Sequence, residues 1–291
     1  MNPPRICLIG FGEVGETLFD DLAGRGVRAH AWDIQFPDPD SKPARAAIAR
    51  GVERTASAAA AVRNTELVIS AVTAAQTIEA ARACGELNGA FYVDLNSASP
   101  GAKQEAAARV NSAGGRYVEA AVMAPIAPKR IASPILLGGP HAEAWLAQAR
   151  DLGFSGASVF SDTYGQAAAA KLCRSIMVKG TEALLVEALL TACAYGVEGV
   201  ALASLSDLFP GVNWNAHARY MIARAIEHGA RRAEEMREAA RTVTEAGVAP
   251  RMSQAIAAVQ DDSPRFATAL PEVNLADMLD AMRALLPEAK S

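Results

Sequence analysis

Residues 164–180, YGQAAAAKLCRSIMVKG, place a lysine, Lys171, directly behind four alanines and ahead of a leucine. An ammonium group among apolar neighbours must reach solvent or lose its hydration, and the loss of hydration favours the neutral amine. A neutral amine can take the proton of an alcohol near pH 7 and return it to a carbonyl oxygen. Lys171 is therefore a candidate general acid/base. In the alternative interpretation its stem packs on the alanines and its amine lies in solvent.

A glycine-rich loop near the N-terminus has the spacing of a phosphate-binding site. Gly10, Gly12 and Gly15 form GxGxxG between a predicted strand and a predicted helix. The first glycine allows a tight turn, the second lets a pyrophosphate approach the backbone, and the third lets the helix pack on the strand. The pattern predicts a dinucleotide site, although a turn without a ligand is the alternative. The site would include the residues between the glycines: Phe11, Glu13 and Val14.

An acidic residue, Asp33, ends the next predicted strand, 18 residues after Gly15. An acid at this point accepts hydrogen bonds from the adenosine ribose hydroxyls and repels a 2′-phosphate. The sequence therefore favours NAD over NADP. NADP remains an alternative because Lys42 or Arg45 could fold back to hold a phosphate, and Asp33 could also be a plain turn residue.

The composition is that of an ordinary globular chain: 291 residues, 51% hydrophobic and 21% charged, with a formal net charge of −4. Basic residues do not cluster, which argues against a nucleic-acid partner, since phosphate binding needs a basic face. The cysteines have neither a CxxC pair nor metal-ligand spacing, so we expect thiols in a reducing compartment and no bound metal. These cysteines are Cys7, Cys84, Cys173 and Cys193.

The N-terminal sequence MNPPRICLIGFG leads directly into a predicted strand and lacks the basic and apolar segments of a signal peptide. No window of about 18 uninterrupted apolar residues predicts a transmembrane helix. We therefore expect a cytoplasmic protein that binds a small-molecule substrate and has neither a membrane nor a nucleic-acid partner.

The first half of the chain alternates short apolar strands with alanine-rich helices. Strands are predicted at residues 5–10, 27–33, 66–72, 90–96, 116–122, 133–139 and 155–160, with helices between several of them, such as 55–63, 75–86 and 100–112. This alternation predicts an α/β domain with a doubly wound, mainly parallel sheet. We assign residues 1–162 to this domain.

The second half, residues 163–291, reads as an all-helical domain. Nothing interrupts a helix from residue 164 to about 195, and at 1.5 Å per residue it would be about 45 Å long. Helical patterns continue to residue 247 and return at 274–286, where Asn274 or Asp277 could cap the last helix. The long helix is apolar on more than one side, which predicts a homodimer through the helical domain.

Two segments resemble a known family. DLNSASP at residues 94–100 and GQAAAAKL at 165–172 are similar to the substrate and lysine motifs of the β-hydroxyacid dehydrogenases. The resemblance spans nearly the whole chain. It is closest to the 6-phosphogluconate-dehydrogenase-like branch with a distinctive C-terminal domain. It implies a Rossmann domain that binds NAD(P), a helical substrate domain, and hydride transfer between the nicotinamide and a hydroxy or keto substrate.

The resemblance also implies roles for particular residues. Lys171 falls on the family's catalytic lysine. Asn96 and Ser97 would orient the substrate beside the nicotinamide, Asn96 contacting the cofactor as well, while Val72 and Thr73 would contact the cofactor from the end of their strand.

The lysine helix departs from the family pattern at two positions. Ser175 stands where the family has asparagine, with Arg174 before it, and both are expected to contact the substrate. Val178 stands where the phosphogluconate enzymes have a glutamate that serves decarboxylation. Oxidative decarboxylation is therefore not expected.

The loop that follows residue 122 departs further, because MAPIAP replaces the family's Ser-Gly-Gly carboxylate site. Its two prolines lack N–H donors, and Met123 gives an apolar wall, either as substrate contact or as plain core. The carboxylate site is then lost or moved to a cation, for which Arg174, Arg231 and Arg232 are candidates.

In the helical half, Glu235 could keep the carboxylate of a family Lys-Asp pair. His228 could reach the cleft or be a surface residue.

Three functions are consistent with these residues. The leading hypothesis is an NAD(P)-dependent dehydrogenase or reductase acting on CH–OH, with Lys171 as general acid/base. An imine reductase would share the fold and cofactor, but the resemblance counts Lys171 against it. A non-catalytic NAD-binding sensor would explain the altered carboxylate loop but not the retained lysine.

Overall fold

The computed structural model describes residues 4–286. The predicted domain ranges extend to residues 1–3 and 287–291, which lie outside the described residues. The contacts between Cα atoms divide the chain into two compact units, Met1–Lys171 and Leu172–Ser291. The predicted domain boundary at residues 162 and 163 stays a prediction.

The first unit contains an eight-stranded sheet in the order β3-β2-β1-β4-β5-β6-β7-β8. All neighbouring pairs are parallel except β6 and β7, which are antiparallel. The prediction of a doubly wound, mainly parallel sheet is confirmed. The strands are β1 (Ile6–Ile9), β2 (Ala29–Trp32), β3 (Glu53–Arg54), β4 (Leu67–Ser70), β5 (Phe91–Asp94), β6 (Arg116–Val122), β7 (Ile135–Gly138) and β8 (Ala157–Ser161).

Both faces of this sheet are covered, which explains why its central strands are apolar without alternation. On β1, Ile6 and Leu8 belong to one hydrophobic core, while Cys7 and Ile9 belong to a second core on the other face. The covering helices are α1 (Glu13–Ala23), α2 (Lys42–Ala49), α3 (Ala58–Ala61), α4 (Thr77–Ala83), α5 (Pro100–Ser112) and α6 (Ala142–Leu152).

Among these strands and helices of the first unit, three lie outside the predicted segments: α2, β3 and α6. Ser41 caps α2 by accepting a hydrogen bond from the N–H of Ala44, and a proline occupies its first turn. In α6, Trp145 and Ala149 share the buried face, and Gly153 ends the helix with a φ of +104°. These are ordinary start and stop signals, and they were visible in the sequence.

The long predicted helix is present as α7 (Gln166–Tyr195), and the division between the two compact units falls inside it. The second unit continues with α8 (Glu198–Leu208), α9 (Trp214–Glu245), α10 (Arg251–Asp262) and α11 (Leu275–Arg283). Its core is built from leucine, isoleucine and methionine side chains, including Leu189, Ile222 and Met278. Of the two caps considered for α11, Asn274 is the one present, with its Oδ1 accepting from the N–H of Asp277. The helical character of this half is confirmed.

Candidate active site

The glycine loop lies at the carboxyl end of β1. Gly10 has a φ of +93°, and a Cβ there would lie 2.5 Å from the carbonyl oxygen of Ala71. A Cβ on Gly15 would collide with the carbonyl oxygen of Gly10, whereas a Cβ on Gly12 would meet nothing within 4 Å. Close packing therefore leaves no room for a side chain at Gly10 or Gly15, whereas the space beside Gly12 is open. No side chain caps the described start of α1, so its N–H groups fit a pyrophosphate.

Asp33 joins this loop to the end of β2. Its Oδ2 accepts a hydrogen bond from the N–H of Phe11 at 2.7 Å, and its Oδ1 accepts from the N–H of Gln35 at 2.8 Å. Trp32 and Phe36, on either side of Asp33 in the chain, help line a surface cavity of about 550 Å³. A carboxylate fixed beside such a cavity fits an adenosine ribose, so these residues fit a dinucleotide.

Asn96 lies between the ends of β4 and β5 with its polar atoms occupied. Its Oδ1 accepts from the N–H of Val72 at 2.7 Å, and its Nδ2 donates to Oγ of Ser70 at 3.1 Å. Its own N–H donates to Oδ1 of Asp94 at 2.8 Å. These bonds make Asn96 a brace between two loops. Its contact with substrate or cofactor, like that of Val72 and the exposed Thr73, stays a prediction.

Lys171 is half-buried, and its Nζ donates a hydrogen bond to Oγ of Ser97 at 2.6 Å. Ala167 and Ala168, one turn earlier in α7, are almost fully buried. The predicted candidates Lys171 and Ser97 therefore meet, although they are 74 residues apart in the chain. Ser97 follows β5, so the pair lies at the carboxyl end of a parallel strand, where ligands bind in open α/β sheets.

A buried ionic cluster next to this pair escaped the sequence analysis. Lys103 of α5 is 1% exposed, and its Nζ lies 2.8 Å from Oδ1 of the fully buried Asp94. The hydroxyl of Tyr117 donates to the other oxygen of Asp94 at 2.6 Å. Burial, and next the charge of Asp94, raise the pKa of Tyr117 well above its ordinary value. The signal that could have revealed Lys103 was a lysine on the alanine-rich face of a helix.

A second buried acid, Glu119, lies in the middle of β6 and was also missed. Its Oε2 accepts from the N–H of Gly165 at 2.5 Å, and its Oε1 accepts from the N–H of Ala168 at 2.6 Å. Burial raises the pKa of Glu119, while the nearby Lys103 and the two N–H donors lower it in part. An acid inside an otherwise apolar strand was the available signal.

The candidates of the helical unit form their own polar contacts. Nζ of Lys179, which the sequence analysis missed, lies 2.6 Å from Oε2 of Glu235 and donates to Oγ of Ser175 at 3.2 Å. Oε1 of Glu235 accepts from Nη1 of Arg231 at 2.7 Å. Ser175 and Glu235 thus share Lys179 within this unit, while Arg174 is exposed. Their predicted substrate contacts stay predictions.

The other cations considered for a substrate carboxylate are differently placed. Arg232 is buried and forms an ion pair with Glu182, which also accepts from Nε2 of Gln260 at 3.0 Å. Nη1 of Arg232 is therefore engaged by Glu182 in the core of the helical unit. Burial, followed by the surrounding arginines, lowers the pKa of His228, which keeps that ring neutral near pH 7.

The loop after β6 has the apolar character predicted for it. Met123 is half-buried and its N–H donates to the carbonyl of Pro134 at 2.9 Å, while Ile126 is buried. The loop is also tied to α1, since Asp21 accepts from the N–H of Ile131 at 3.0 Å. Whether Met123 contacts the substrate stays a prediction.

Within residues 4–286, no helix combines the length and apolar character needed to cross a membrane.

The doubly wound sheet, its glycine loop and the acid at the end of β2 define the class of dinucleotide-binding proteins. The family described as the NAD binding domain of 6-phosphogluconate dehydrogenase matches residues 5–161, and a domain of unknown function, DUF1932, matches residues 192–263. The chain belongs to the β-hydroxyacid dehydrogenase and 6-phosphogluconate dehydrogenase-like superfamily, as its sequence motifs predict.

Individual relatives agree with this assignment. A conserved hypothetical protein from Sinorhizobium meliloti 1021 is 34% identical, with a TM-score of 0.76 and 97% of each chain covered. A conserved protein of unknown function, described as structurally similar to 3-hydroxyacid dehydrogenases, is 30% identical, with a TM-score of 0.71 and coverage of 89% of this chain and 96% of its own. The mitochondrial 3-hydroxyisobutyrate dehydrogenase of Drosophila melanogaster is 23% identical over 216 residues, which cover 72% of this chain and 65% of that relative.

Proposed function

We propose that this protein is an NAD-dependent oxidoreductase that transfers a hydride between the nicotinamide and a substrate carbon bearing a hydroxyl or keto oxygen, without decarboxylation. The contact that carries the proposal is the 2.6 Å hydrogen bond from Nζ of Lys171 to Oγ of Ser97. It brings an acid/base candidate to the sheet edge at which β1, β4 and β5 end side by side. The glycine loop follows β1, so cofactor and proton-transfer groups share that edge.

The glycine loop and Asp33 would hold the cofactor, which when bound would accept a hydride as NAD or supply one as NADH, and the residues of the chain transfer the proton. Hydride loss from a CH–OH carbon requires the hydroxyl proton to leave, and neutral Nζ of Lys171 accepts it. In the reverse direction the ammonium returns the proton to the carbonyl oxygen. Ser97 orients the amine, and its hydroxyl also lies within reach of the same substrate oxygen. The buried alanines below Lys171 exclude water from one side of the amine.

The proposed preference for NAD depends on Asp33. Its carboxylate is anchored by two backbone N–H groups and cannot turn away from the ribose site. A 2′-phosphate would bring negative charge to a fixed negative group. We expect tighter binding of NAD than of NADP by calorimetry. In Asp33→Asn the difference in affinity between NAD and NADP should become smaller. Asp38 is an exposed acid of the following turn, and Asp38→Asn should leave this difference unchanged.

The proposed substrate is a hydroxy acid, as the family resemblance implies, or a bulkier, less polar alcohol. The loop after β6 favours the alcohol, because it offers prolines and apolar side chains where a carboxylate site would need N–H donors. The test is turnover of NAD with 3-hydroxy acids, polyol acids and aryl-substituted alcohols, and turnover of NADH with cyclic imines. Lys171→Met should lose turnover and keep its NAD affinity. Lys129→Met, at an exposed lysine, is the matched control. Turnover of imines alone would favour an imine reductase, and NAD binding without any turnover would favour a sensor.

A homodimer through the helical unit is part of the proposal. Large apolar side chains on α7 and α8 are more than 60% exposed in the single chain: Met177, Leu184, Tyr195, Val200 and Leu208. Exposed apolar residues in such number are typical of an interface. Light scattering should give a mass of two chains, and Leu184→Glu should give one. All four cysteines are free thiols, which supports a reducing, cytoplasmic location.

A further inference from the structure

The carboxylate of Glu119 closes the N-terminus of the helix that carries Lys171. The first N–H groups of a helix have no partner within it. At α7, two N–H groups, those of Gly165 and Ala168, donate to the two oxygens of one carboxylate that lies 46 and 49 residues earlier in the chain. Helices α2 and α5 are capped instead by the serine that precedes each of them. The start of α7 is therefore fixed to β6 by a fully buried acid.

The turn before α7 is held by β6, by α5 and by the residue that follows β7. The ring of Tyr164 packs edge-on against Tyr117, with 5.3 Å between ring centroids. The carbonyl of Tyr164 accepts from Nε2 of Gln104 at 3.3 Å. Gly139, with a φ of +98°, leaves the space that the Tyr164 ring occupies, since a Cβ there would collide with the ring.

Lys171 follows Ala168 by three residues, so the two lie on the same side of the helix, within one turn. A change in the bonds at the N–H of Ala168 therefore moves the stem of Lys171 relative to the loop that carries Ser97. That loop is fixed independently, because the N–H of Asn96 donates to the buried Asp94. The distance between Nζ of Lys171 and Oγ of Ser97 depends on two buried carboxylates, one for each partner.

We propose that Glu119 is a positioning residue for Lys171: in its ionised form it holds the first turn of α7 through two N–H groups and so sets the distance between Nζ of Lys171 and Oγ of Ser97. The inference rests on the proposed function, in which that amine transfers the proton.

The ionised form is needed because two N–H donors require two acceptors. A carboxylate offers both oxygens, whereas a carboxylic acid or a glutamine amide turns a donor toward one of the N–H groups. The titratable groups that face Glu119 are Lys103, Asp94, Tyr117 and Tyr164. Only Lys103 among them is a cation, and it favours the carboxylate.

The first test compares Glu119→Gln with Glu66→Gln in the full chain. Glu66 is the matched control, because its carboxylate also accepts from a backbone N–H, that of Arg5 at 3.0 Å, but away from α7. For Glu119→Gln we expect kcat to fall by about 100-fold, the order reported for a displacement of about 1 Å, with NAD affinity unchanged. In the direction of carbonyl reduction, in which Lys171 must be protonated, the wild-type kcat should fall at acid pH as Glu119 takes up a proton, and this fall should be absent from Glu119→Gln. Glu66→Gln should behave as wild type.

A second readout needs no substrate. Competitive acetylation of Lys171, followed by mass spectrometry, measures how freely its amine reacts in the protein alone. We expect Lys171 to be labelled faster in Glu119→Gln than in wild type, because the amine is released from Ser97. Labelling of the exposed Lys129 should be equal in both proteins. A general loss of structure would raise labelling at every lysine instead.

Gly138→Ala provides a variant that keeps the charge of Glu119. Its new Cβ would lie 2.8 Å from Oε2 of Glu119 and would displace the carboxylate. It should lower kcat in the same direction, and it should add little to the effect of Glu119→Gln in the double variant, because both act through one contact. This variant carries the test if Glu119→Gln does not fold.

The outcomes separate the two proposals. If kcat in both Glu119→Gln and Gly138→Ala stays within twofold of wild type and the labelling of Lys171 is unchanged, Glu119 does not position the lysine. If wild type turns over no substrate, the proposed function fails, and the labelling comparison alone still decides whether Glu119 holds Lys171.

Discussion

Helices α5 and α7 each carry a lysine on an alanine-rich face, yet the two lysines have different partners. Lys103 of α5 is 1% exposed and pairs with the carboxylate of Asp94 at 2.8 Å. Lys171 of α7 is half-buried and bonds the hydroxyl of Ser97 at 2.6 Å. A buried carboxylate stabilises the ammonium and opposes its deprotonation, whereas a hydroxyl can serve as acceptor to an ammonium or as donor to a neutral amine.

The comparison teaches that a lysine in apolar surroundings is defined by its partner. Lys103 fits a fixed cation that pairs with Asp94 and lowers in part the raised pKa of Glu119. Lys171 has a partner that is compatible with the proton transfer proposed for it. Both signatures look alike in the sequence, so only the tertiary partners separate a structural lysine from a candidate catalytic one.

The largest expected effect is on stability and concerns the buried ion pair of Lys103 and Asp94. Lys103→Met leaves Asp94 buried without its cation, and we expect the free energy of unfolding to fall by about 3–5 kcal/mol, as for other broken buried pairs. Urea denaturation followed by circular dichroism measures it. Lys171→Met should change the same quantity by less than about 1 kcal/mol, because the side chain of Lys171 is only half-buried.

The control for this prediction is the double variant Lys103→Met with Asp94→Leu. Removal of both charges leaves neither member of the ion pair without its partner, so part of the lost stability should return, while the hydroxyl of Tyr117 and the N–H of Asn96 lose their acceptor. Equal stability of Lys103→Met and wild type would mean that the pair adds nothing to the fold, and the contrast between the two helices would lose its basis.

The next largest effect is on turnover and concerns the hydrogen bond between Lys171 and Ser97. Ser97→Ala removes the hydroxyl that orients Nζ of Lys171, and a hydrogen bond to a charged group is worth about 1.5–3 kcal/mol. We therefore expect kcat/KM to fall by roughly 10- to 100-fold, and the free energy of unfolding to fall by no more than about 3 kcal/mol, the most that this bond contributes. Steady-state kinetics on a substrate found in the panel measures it. Ser112→Ala, at an exposed serine of α5, should leave kcat/KM at its wild-type value. A fall in Ser112→Ala equal to that in Ser97→Ala would sink the assignment.

The same contrast shows how far the sequence could predict this molecule. The bounds of β6 and α5 agree with prediction, because an apolar run and a serine-proline start define them locally. Lys171 was found because it lies within a recognisable motif. Lys103 has the same alanine-rich neighbourhood but no motif around it. Its role depends on Asp94, which another element brings into contact.

The role of Glu119 was even harder to predict from the sequence. Its carboxylate oxygens accept hydrogen bonds from N–H groups 46 and 49 residues away. No spacing rule links an acid in the middle of a strand to the start of a helix in that way. Asn96 is the converse case, because it lies within a recognisable motif. Its motif predicted a ligand contact, which stays a prediction, and no motif indicated that its amide joins the N–H of Val72 to the hydroxyl of Ser70. Local pattern predicts which residues are unusual, and tertiary packing decides what they contact.

The smallest effect concerns pH and stability at Glu119. Burial raises its pKa above the ordinary value of 4.5, so the folded protein holds this proton more tightly than the unfolded chain does. The stability contributed by the protonated form is therefore fully present below about pH 4.5 and is lost as pH rises through the raised pKa. The difference in free energy of unfolding between wild type and Glu119→Gln should shift against wild type over that range, by no more than about 1.4 kcal/mol per pH unit.

Denaturation of both proteins between pH 4 and 8 measures this difference, and other titrating groups cancel in the comparison. The sign is the informative part. If Glu119 positions Lys171 only when ionised, activity must rise over the range in which this contribution to stability falls. A stability difference that instead grows in favour of wild type with pH would mean that the two N–H groups and Lys103 outweigh burial, and the carboxylate would then be a stabilising cap as well as a positioning one.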